Sequence, residues 1–479
     1  MSGVGRTLVA GVDSSTQSCK VVVVDAVDGT TVRSAAVPHP DVPEVDPRVW
    51  LDCLRSAGAA AWDEVAALSV GAQQHSTILL DDHAHPVRDA ILWNDRRADA
   101  QGRRLRAERG DAWWADAVGL LPAAAHPVSK LRWIAEHEPA VAERARSVLL
   151  PHDWLTWQLL DGPATGAQPT TDRSDASATG YWSGADERWL PDVVEAAFGR
   201  GLETPRVLGP SERAGVTPGG AARDGAVRGG VVVGAGLGDN AAAHLGLQTA
   251  PGQAVVSIGT SLTVSVRSAT PLRDTTGRVD DMADGQGGFL PITVALNGAR
   301  TLTTVARMLG VGLHELDDLA ARAAPDADGV TFLPYLDGER TPAIPDGTGA
   351  LLGLTRASTS PQNVARAAVL AVATTVADFV GTLTAAGAAV DELVLVGGGS
   401  ASASLRQAVA DLCRRRVLCP AQDEYVARGA ARQAAWALTG ELPAWPRSPW
   451  HVVEAGGAAP WRDRVLESRA RLTERVFGG

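Results

Sequence analysis

Residues 7–25, TLVAGVDSSTQSCKVVVVD, decide the fold, because two valine-rich runs flank the polar segment DSSTQS. Runs of β-branched residues separated by a short polar segment predict two paired strands joined by a turn. The acid of this turn, Asp13, and its hydroxyl neighbours can cap local backbone groups. They can equally hold a divalent cation and a phosphate. The stretch alone leaves both interpretations open.

A second stretch of the same kind begins half a chain later, at residues 252–266, GQAVVSIGTSLTVSV. Two such strand-turn-strand units indicate a duplicated architecture. The second turn favours the binding interpretation, because two hydroxyl-rich turns could clamp one nucleotide across a cleft. Residues 299–324 have helical spacing, and residues 391–412 read as strand, glycine turn and helix. This alternation predicts α/β layers with helices on the faces of the sheets.

Length and charge narrow the class of protein. The 479 residues exceed the roughly 250–300 at which a single core stops growing, so two large domains are expected. A net charge of −11 argues against a nucleic-acid or anionic membrane partner. Four scattered cysteines and an opening without a signal-peptide pattern predict a cytoplasmic protein. The two lysines, Lys20 and Lys130, lie outside any P-loop pattern.

The glycine-rich segment around Asp239, GAGLGDNAAAHLG, follows a valine-rich strand and opens a helical pattern. Helix N-terminal positions favour an ionised carboxylate, the form that accepts a proton. Gly234, Gly236 and Gly238 would let a substrate and a phosphate approach closely. A helix N-cap is the alternative role for Asp239. The triplet Gly397–Gly399 is similarly either an ordinary turn or a surface for an adenosine.

Polar and aromatic residues end two further predicted strands. Gln73, Gln74 and His75 follow one, and the run from Trp93 to Arg96 follows the other. Amide, imidazole and indole groups suit a polyhydroxylated ligand, which needs many neutral hydrogen bonds and one apolar platform. Taken singly, His75 could instead be a structural histidine, and Trp93 a core tryptophan.

The chain resembles the FGGY family of carbohydrate kinases along nearly its whole length. The matching stretches, in the order of the family, are VDSSTQSCK, GAQQHS, AILWNDRR, SKLRWIAEHEP, LLPHDWL, SDASAT, GAGLGDNAAAHLG, SIGTS, FLPYLDGERTP with GALLGLT, and VGGGS. The resemblance implies an α/β fold of two actin/hexokinase/Hsp70-like, ribonuclease H-like ATPase domains with a cleft between them. It implies a sugar-binding domain over residues 1–246 and a nucleotide-binding domain over residues 247–479.

Residue roles follow from the same resemblance. It makes Asp239 the catalytic base and Asp13 the ligand of Mg²⁺. The implied substrate-binding residues are Gln74, His75, Trp93, Asn94, Asp95, Asp239 and Asn240. The implied nucleotide-binding residues are Ser15, Thr16, Gly259, Thr260, Ser261, Gly397, Gly398 and Gly399. Four positions depart from the usual pattern of the family and bear on specificity: Ser15, Gln74, Ala125 and Leu370.

The implied activity is ATP-dependent phosphorylation of D-xylulose to D-xylulose 5-phosphate. Ribulose, gluconate and glycerol could also be acceptors, and the lack of an Arg-Glu pair near Gln74 disfavours glycerol. The same fold could also serve a chaperone-like or filament-forming ATPase, or a sugar-binding regulator without catalysis. The polar-aromatic cluster disfavours the ATPase, and the presence of both Asp13 and Asp239 disfavours the regulator. The expected partners are a sugar and ATP, with a homodimer left open.

Overall fold

The computed structural model describes residues 6–219, 227–457 and 460–477. Met1 and Gly479, the outer ends of the two predicted domains, lie outside the described residues.

The first half of the chain alternates strands and helices. Its strands are β1 (Leu8–Ser14), β2 (Ser18–Asp25), β3 (Thr31–Pro38), β4 (Glu44–Val45), β5 (Val65–Ala72), β6 (Ile78–Leu80), β7 (Ala90–Ile91), β8 (Ser147–Leu149), β9 (Thr170–Asp172), β10 (Trp182–Ser183), β11 (Arg188–Trp189), β12 (Arg206–Leu208), β13 (Arg213–Val216), β14 (Val232–Gly234) and β15 (Leu237–Gly238). Its helices are α1 (Pro47–Ala59), α2 (Asp99–Arg109), α3 (Asp111–Ala117), α4 (Pro127–His137), α5 (Pro139–Arg144), α6 (Pro151–Leu159), α7 (Gly162–Thr165), α8 (Arg173–Ser177), α9 (Pro191–Phe198) and α10 (Asp239–Leu247).

The second half has the same alternation. Its strands are β16 (Gln253–Ile258), β17 (Leu262–Ser265), β18 (Asp280–Ala283), β19 (Phe289–Ala295), β20 (Thr331–Leu333), β21 (Ala350–Leu352), β22 (Glu392–Val396), β23 (Arg416–Cys419) and β24 (His451–Val453). Its α-helices are α11 (Arg300–Leu309), α12 (Leu313–Ala321), α13 (Pro361–Ala385), α14 (Ala403–Cys413), α15 (Tyr425–Thr439) and α16 (Trp461–Phe477).

The two halves are built on sheets whose five central strands have the same topology. The first sheet has the order β13-β14-β5-β1-β2-β3, with β15 beside β5, and the second has the order β18-β19-β17-β16-β22-β23-β24. In the first, β1, β2 and β3 are antiparallel, whereas β1, β5 and β14 are parallel. In the second, β16, β17 and β19 are antiparallel, whereas β16, β22 and β23 are parallel. The predicted hairpin of residues 7–25 and the predicted duplication are both confirmed.

Helices α10 and α15 lie between the two sheets and cross each other. Helix α15 follows β23 of the second sheet, yet its alanines, Ala427 and Ala431 among them, are buried against valines of the first sheet. A Cβ on Gly11 of β1 would lie 1.8 Å from the Ala427 carbonyl oxygen. Helix α10 starts at the first sheet, and its last residue, Leu247, packs against Val255 of the second.

Helix α13 is the described segment that is long and apolar enough to cross a membrane, judged by length and composition. Seventeen of its residues are buried, including Leu370 and Phe379, and it packs against α11, α12 and α14. An apolar helix that is covered on most sides by protein is a core helix. We therefore assign α13 to the core of the second half.

The helical pattern of residues 299–324 forms two helices, α11 and α12, instead of one segment. Gly310 follows α11 with a φ of +70° and a backbone N–H that bonds back into the helix. A left-handed glycine at this position ends a helix. The apolar periodicity continues across the break, so the signal for it in the sequence is the pair of glycines at positions 310 and 312.

Candidate active site

The predicted site residues of the first half lie at one edge of its sheet. Strands β1, β5 and β15 run parallel, and their carboxyl ends are Ser14, Ala72 and Gly238. The Gln73 backbone N–H donates to the Ser14 carbonyl at 3.1 Å, which keeps these ends together. Ligands of α/β proteins bind outside the carboxyl ends of such strands. The edge that carries Asp13, Gln74 and Asp239 is therefore the candidate active site.

Asp13 is 5% exposed at the end of β1. Its Oδ1 atom has no hydrogen-bond partner among the described residues. Burial raises the pKa of Asp13 to about 7, although the Lys20 ammonium acts in the opposite direction. A buried carboxylate oxygen without a donor is costly unless a cation or a ligand compensates it.

Asp239 is the first residue of α10, and the N-cap position belongs to Gly238. The N-cap role considered for Asp239 is thus wrong by one residue. Its Oδ1 accepts from the backbone N–H and the side-chain Nδ2 of Asn240, both at 2.8 Å. Burial and the neighbouring charge of Asp13 raise the pKa of Asp239 to about 7. A partly exposed carboxylate that titrates near neutrality can accept a proton from a substrate hydroxyl.

The glycines before Asp239 make room for side chains of the protein itself. A Cβ on Gly236 would lie 2.1 Å from Cδ2 of His152, and one on Gly238 would lie 2.4 Å from Nε2 of Gln74. The Gly238 N–H also donates to Ser174 Oγ at 2.9 Å. The sequence-based expectation assigned this space to a ligand, whereas the structure fills it with buried protein contacts.

Gln74 and His75 form the floor of the site. Gln74 donates through Nε2 to the Ser174 carbonyl at 3.1 Å, and its Oε1 accepts from Asn240 at 3.4 Å. His75 Nδ1 donates to the Ala178 carbonyl at 2.9 Å. Burial lowers the pKa of His75 well below 6.5, so the ring is neutral. Its Nε2 atom is therefore a hydrogen-bond acceptor.

Trp93, Asn94 and Asp95 line a cavity of about 390 Å³ that the second half completes with residues such as Arg340. The Trp93 indole N–H donates to Thr16 Oγ1 at 2.9 Å, which connects this wall to the turn after β1. Asn94 is exposed. Asp95 accepts from Arg97 Nε and Nη2 at 2.9 and 2.8 Å, which leaves less of its carboxylate for a ligand.

A charged network lines part of this cavity, at residues that were not among the predicted site residues. Asp280 Oδ2 accepts from Arg340 and lies 3.4 Å from His126 Nε2. Burial alone would raise the pKa of Asp280, but Arg340 and His126 hold it well below its usual range. The His126 ring meets the His75 ring edge-on, with 5.1 Å between centroids. Arg340 could have been found from the sequence, because it lies in FLPYLDGERTP, one of the stretches that resemble the family.

The predicted nucleotide-binding residues of the second half also lie together. Gly259, Thr260 and Ser261 form the turn between β16 and β17, and Gly397–Gly399 follow the neighbouring parallel strand β22. A Cβ on Gly397 would lie 2.7 Å from the Ile258 carbonyl oxygen, whereas one on Gly398 would meet nothing within 4 Å. The triplet is thus a tight turn that also presents open backbone.

A fully buried ionic cluster contacts the Asp239 loop, which is the segment of residues 234–238 that leads into Asp239. His152 Nδ1 donates to Asp175 Oδ2 at 2.5 Å, and His152 Nε2 lies 3.3 Å from Asp153 Oδ1. Burial lowers the pKa of His152, but Asp175 and Asp153 outweigh this and raise it to about 10. The ligand atoms of these three residues lie within 4.8 Å of one another, as in a metal site. The direct hydrogen bond between His152 Nδ1 and Asp175 Oδ2 leaves no room for an ion between these two atoms, so we interpret the group as an ion pair.

Comparisons with known proteins agree with this geometry. Residues 8–246 match the N-terminal domain of the FGGY family of carbohydrate kinases, and residues 254–438 match its C-terminal domain. A xylulose kinase from Streptomyces rubiginosus is 41% identical over 484 residues, which cover 98% of this chain and 96% of that protein. One from Streptomyces coelicolor is 41% identical over 490 residues, covering 100% and 97%. The crystal structure of xylulose kinase from Bifidobacterium adolescentis has a TM-score of 0.85 and 38% identity, covering 98% and 99%.

Proposed function

The chain belongs to the FGGY family of carbohydrate kinases and is an ATP-dependent sugar kinase, and we propose that its acceptor is D-xylulose, which it converts to D-xylulose 5-phosphate. Its two-domain α/β fold is the actin/hexokinase-like ATPase fold that the resemblance implies, so that prediction is confirmed. The choice of D-xylulose is supported by relatives with that name at 41% identity over the whole chain.

The observation that carries the chemical proposal is the position of Asp239. It begins a helix at the carboxyl edge of the first sheet, is partly exposed, and has a pKa raised by burial and by Asp13 to about 7. In phosphoryl transfer the protein positions the reactants and stabilises charge, and an ionised carboxylate acts as the base that accepts the proton of the attacking hydroxyl. In our proposal Asp239 takes the proton of the terminal sugar hydroxyl.

Asp13 fits the role of the metal ligand. A hard divalent cation such as Mg²⁺ prefers oxygen ligands, and Asp13 Oδ1 is a buried oxygen without a donor. Asp13 would hold Mg²⁺ directly or through water, and the ion would neutralise charge on the phosphates. The turn residues Ser15 and Thr16 would lie on the phosphate side of the same strand end.

The other substrate contacts follow from the donors and acceptors of the site. The neutral His75 would accept a sugar hydroxyl at Nε2, and Trp93 would supply the apolar platform, beside Asn94 and Asp95. Gln74 and Asn240, which hydrogen-bond each other, would present their remaining amide groups to the sugar. In the second half, the turn Gly259–Ser261 would contact phosphates, and Gly397–Gly399 would contact the adenosine.

The domain boundary between residues 246 and 247 stays a prediction. So do the cytoplasmic location, the lack of nucleic-acid or membrane partners, and the homodimer.

The test is ADP release measured with D-xylulose, D-ribulose, D-gluconate and glycerol. We expect the highest kcat/KM with D-xylulose, and a tenfold higher value with another acceptor would contradict the substrate proposal. Asp239→Asn keeps the size of the side chain and removes the base, so kcat should fall about 10²- to 10⁴-fold while ATP affinity persists. A folded D239N enzyme with near-native kcat would refute the role of Asp239.

A further inference from the structure

Gln433 of helix α15 makes a paired hydrogen bond with a single residue of the Asp239 loop. Its Nε2 donates to the Gly236 carbonyl at 3.0 Å, and its Oε1 accepts from the Gly236 N–H at 2.9 Å. Oε1 also accepts from Ser69 Oγ at 2.5 Å. The side chain is 0% exposed. Gln433 therefore fixes both backbone groups of a residue that lies three positions before Asp239.

The opposite side of Gly236 is closed as well. The His152 ring fills the place of a side chain there, and Gly236 itself has a φ of +88°, which favours glycine. Two residues later, the Gly238 N–H is held by Ser174. The segment that leads into Asp239 thus packs between α15 on one side and His152 on the other.

Helix α15 connects the contact between Gln433 and Gly236 to the second half of the chain. It begins at Tyr425, which packs against Leu247, Val394 and Leu418 beside the second sheet. Gln433 lies two turns further on, where α15 covers the first sheet. A helix transmits a displacement of one end to the other as a nearly rigid body.

We propose that Gln433 is a positioning residue, which places Asp239 for proton transfer according to where helix α15 lies. The inference rests on the proposed role of Asp239. A displacement of about 1 Å in a reacting group can cost about 10²-fold in rate. Loss of the two hydrogen bonds between Gln433 and Gly236 can therefore lower kcat by shifting Asp239. Gln433 touches neither substrate and acts through the backbone of Gly236.

The test compares the wild-type enzyme with Gln433→Met, Asp239→Asn and the double variant. Methionine keeps the length of the side chain and removes both bonds to Gly236. We expect Q433M to lower kcat about 10- to 100-fold, with the KM values for sugar and ATP within about threefold. In the D239N background the same change should have no further effect on kcat, because it acts through the carboxylate that is already gone.

Arg432→Met is the matched control. Arg432 is the preceding residue of α15 and is buried. It donates to the carbonyl of Pro443 and to that of Leu245, which lies at the end of α10 opposite to Asp239. R432M should lose stability and keep kcat within about threefold. Equal falls of kcat in R432M and Q433M would reduce Gln433 to a structural role and overturn the proposal.

The remaining outcomes are also decisive. Near-native kcat in folded Q433M, or an equal effect of Q433M in the wild-type and D239N backgrounds, overturns the proposal. Near-native kcat in D239N refutes the proposed base instead. If Q433M does not fold, Ser69→Ala takes its place, because it removes one donor to Oε1 and leaves the helix intact. S69A should lower kcat about three- to tenfold at unchanged KM, and an unchanged kcat overturns the proposal.

Discussion

Gly429 of α15 lies against Ala242 of α10 so closely that a Cβ on Gly429 would stand 1.8 Å from the Ala242 carbonyl oxygen. The contact is reciprocated one turn away, where a Cβ on Gly246 would stand 2.0 Å from the Tyr425 carbonyl oxygen. The two helices that lie between the sheets thus cross backbone to backbone. Their separation is set by the absence of two side chains.

Gly429→Ala should therefore destabilise the protein. The added methyl group overlaps a backbone carbonyl that cannot rotate away, and overpacking of this kind costs about 1–3 kcal/mol or more. Urea unfolding followed by circular dichroism measures the change. Gly381→Ala is the control, because its Cβ on the exposed face of α13 would meet nothing within 4 Å, and helix propensity then favours alanine. Equal stability of G429A and G381A would contradict the close crossing.

His75→Asn should weaken sugar use selectively. Asparagine tolerates the φ of +67° found at His75 but does not reproduce the acceptor at Nε2. One lost hydrogen bond of about 1 kcal/mol should raise the KM for sugar about five- to tenfold, or lower kcat similarly. The KM for ATP should stay within twofold in steady-state assays. Equal losses for sugar and ATP would instead favour a structural histidine, and the exposed His83→Ala provides the baseline.

Asp280→Asn should impair sugar binding more than nucleotide binding. Asp280 lines the cavity beside Trp93, and the arginine at position 340 holds it ionised. A charge-assisted hydrogen bond between a sugar hydroxyl and the Asp280 carboxylate would contribute about 1.5–3 kcal/mol. Its loss should therefore raise the KM for sugar about 10- to 100-fold. Asp284→Asn is the matched control, since Asp284 is also buried and ion-paired, at 2.8 Å from Arg267 Nε, outside that cavity. The same KM in both variants would contradict a sugar contact.

The stability of the protein should fall as the pH rises from about 6.5 to 10. Burial works against the charge, but Asp175 and Asp153 raise the pKa of His152 from 6.5 to about 10. The folded state therefore binds this proton more tightly than the unfolded state. The stability that the His152 proton contributes is fully present below pH 6.5 and is lost as the pH rises through 10. The slope approaches about 1.4 kcal/mol per pH unit between these limits.

Urea unfolding at pH 6.5, 8 and 9.5 tests this dependence. His152→Gln should be less stable at pH 6.5 and should show a flatter slope, because the titrating group is gone. His314→Gln, at a 94% exposed position, should keep the slope of the wild type. An unchanged slope in H152Q would show that other groups carry the dependence.

Local patterns predicted the parts of the site that lie on continuous stretches of chain. The valine runs around Asp13 and the repeated hairpin near Gly259 specify strands and turns through near neighbours, and both formed as expected. Gly236 and Gly238 show the limit of such reasoning. Their lack of side chains was visible, but the groups that fill the space, His152 and Gln74, are far away in sequence.

Pairs that form only in the folded chain were not predictable from one sequence. Asp280 meets His126 across 154 positions, and Gln433 meets Gly236 across 197. Asp280 lies on a strand and Gln433 on a helix, and neither residue by itself marks a site. Their roles arise from the docking of two sheets, which composition and periodicity do not specify.

The covering of the first sheet by α15 has a consequence for synthesis on the ribosome. Val9, Val22 and Val232 of that sheet are buried together with Ala427 and its neighbours in a helix that ends only at Thr439. Until nearly the whole chain has emerged, one apolar face of an otherwise complete sheet has no cover. Nascent chains stalled before residue 425 should expose this face to chaperones and to proteolysis. Release of the last 50 or so residues should close it in a single late step.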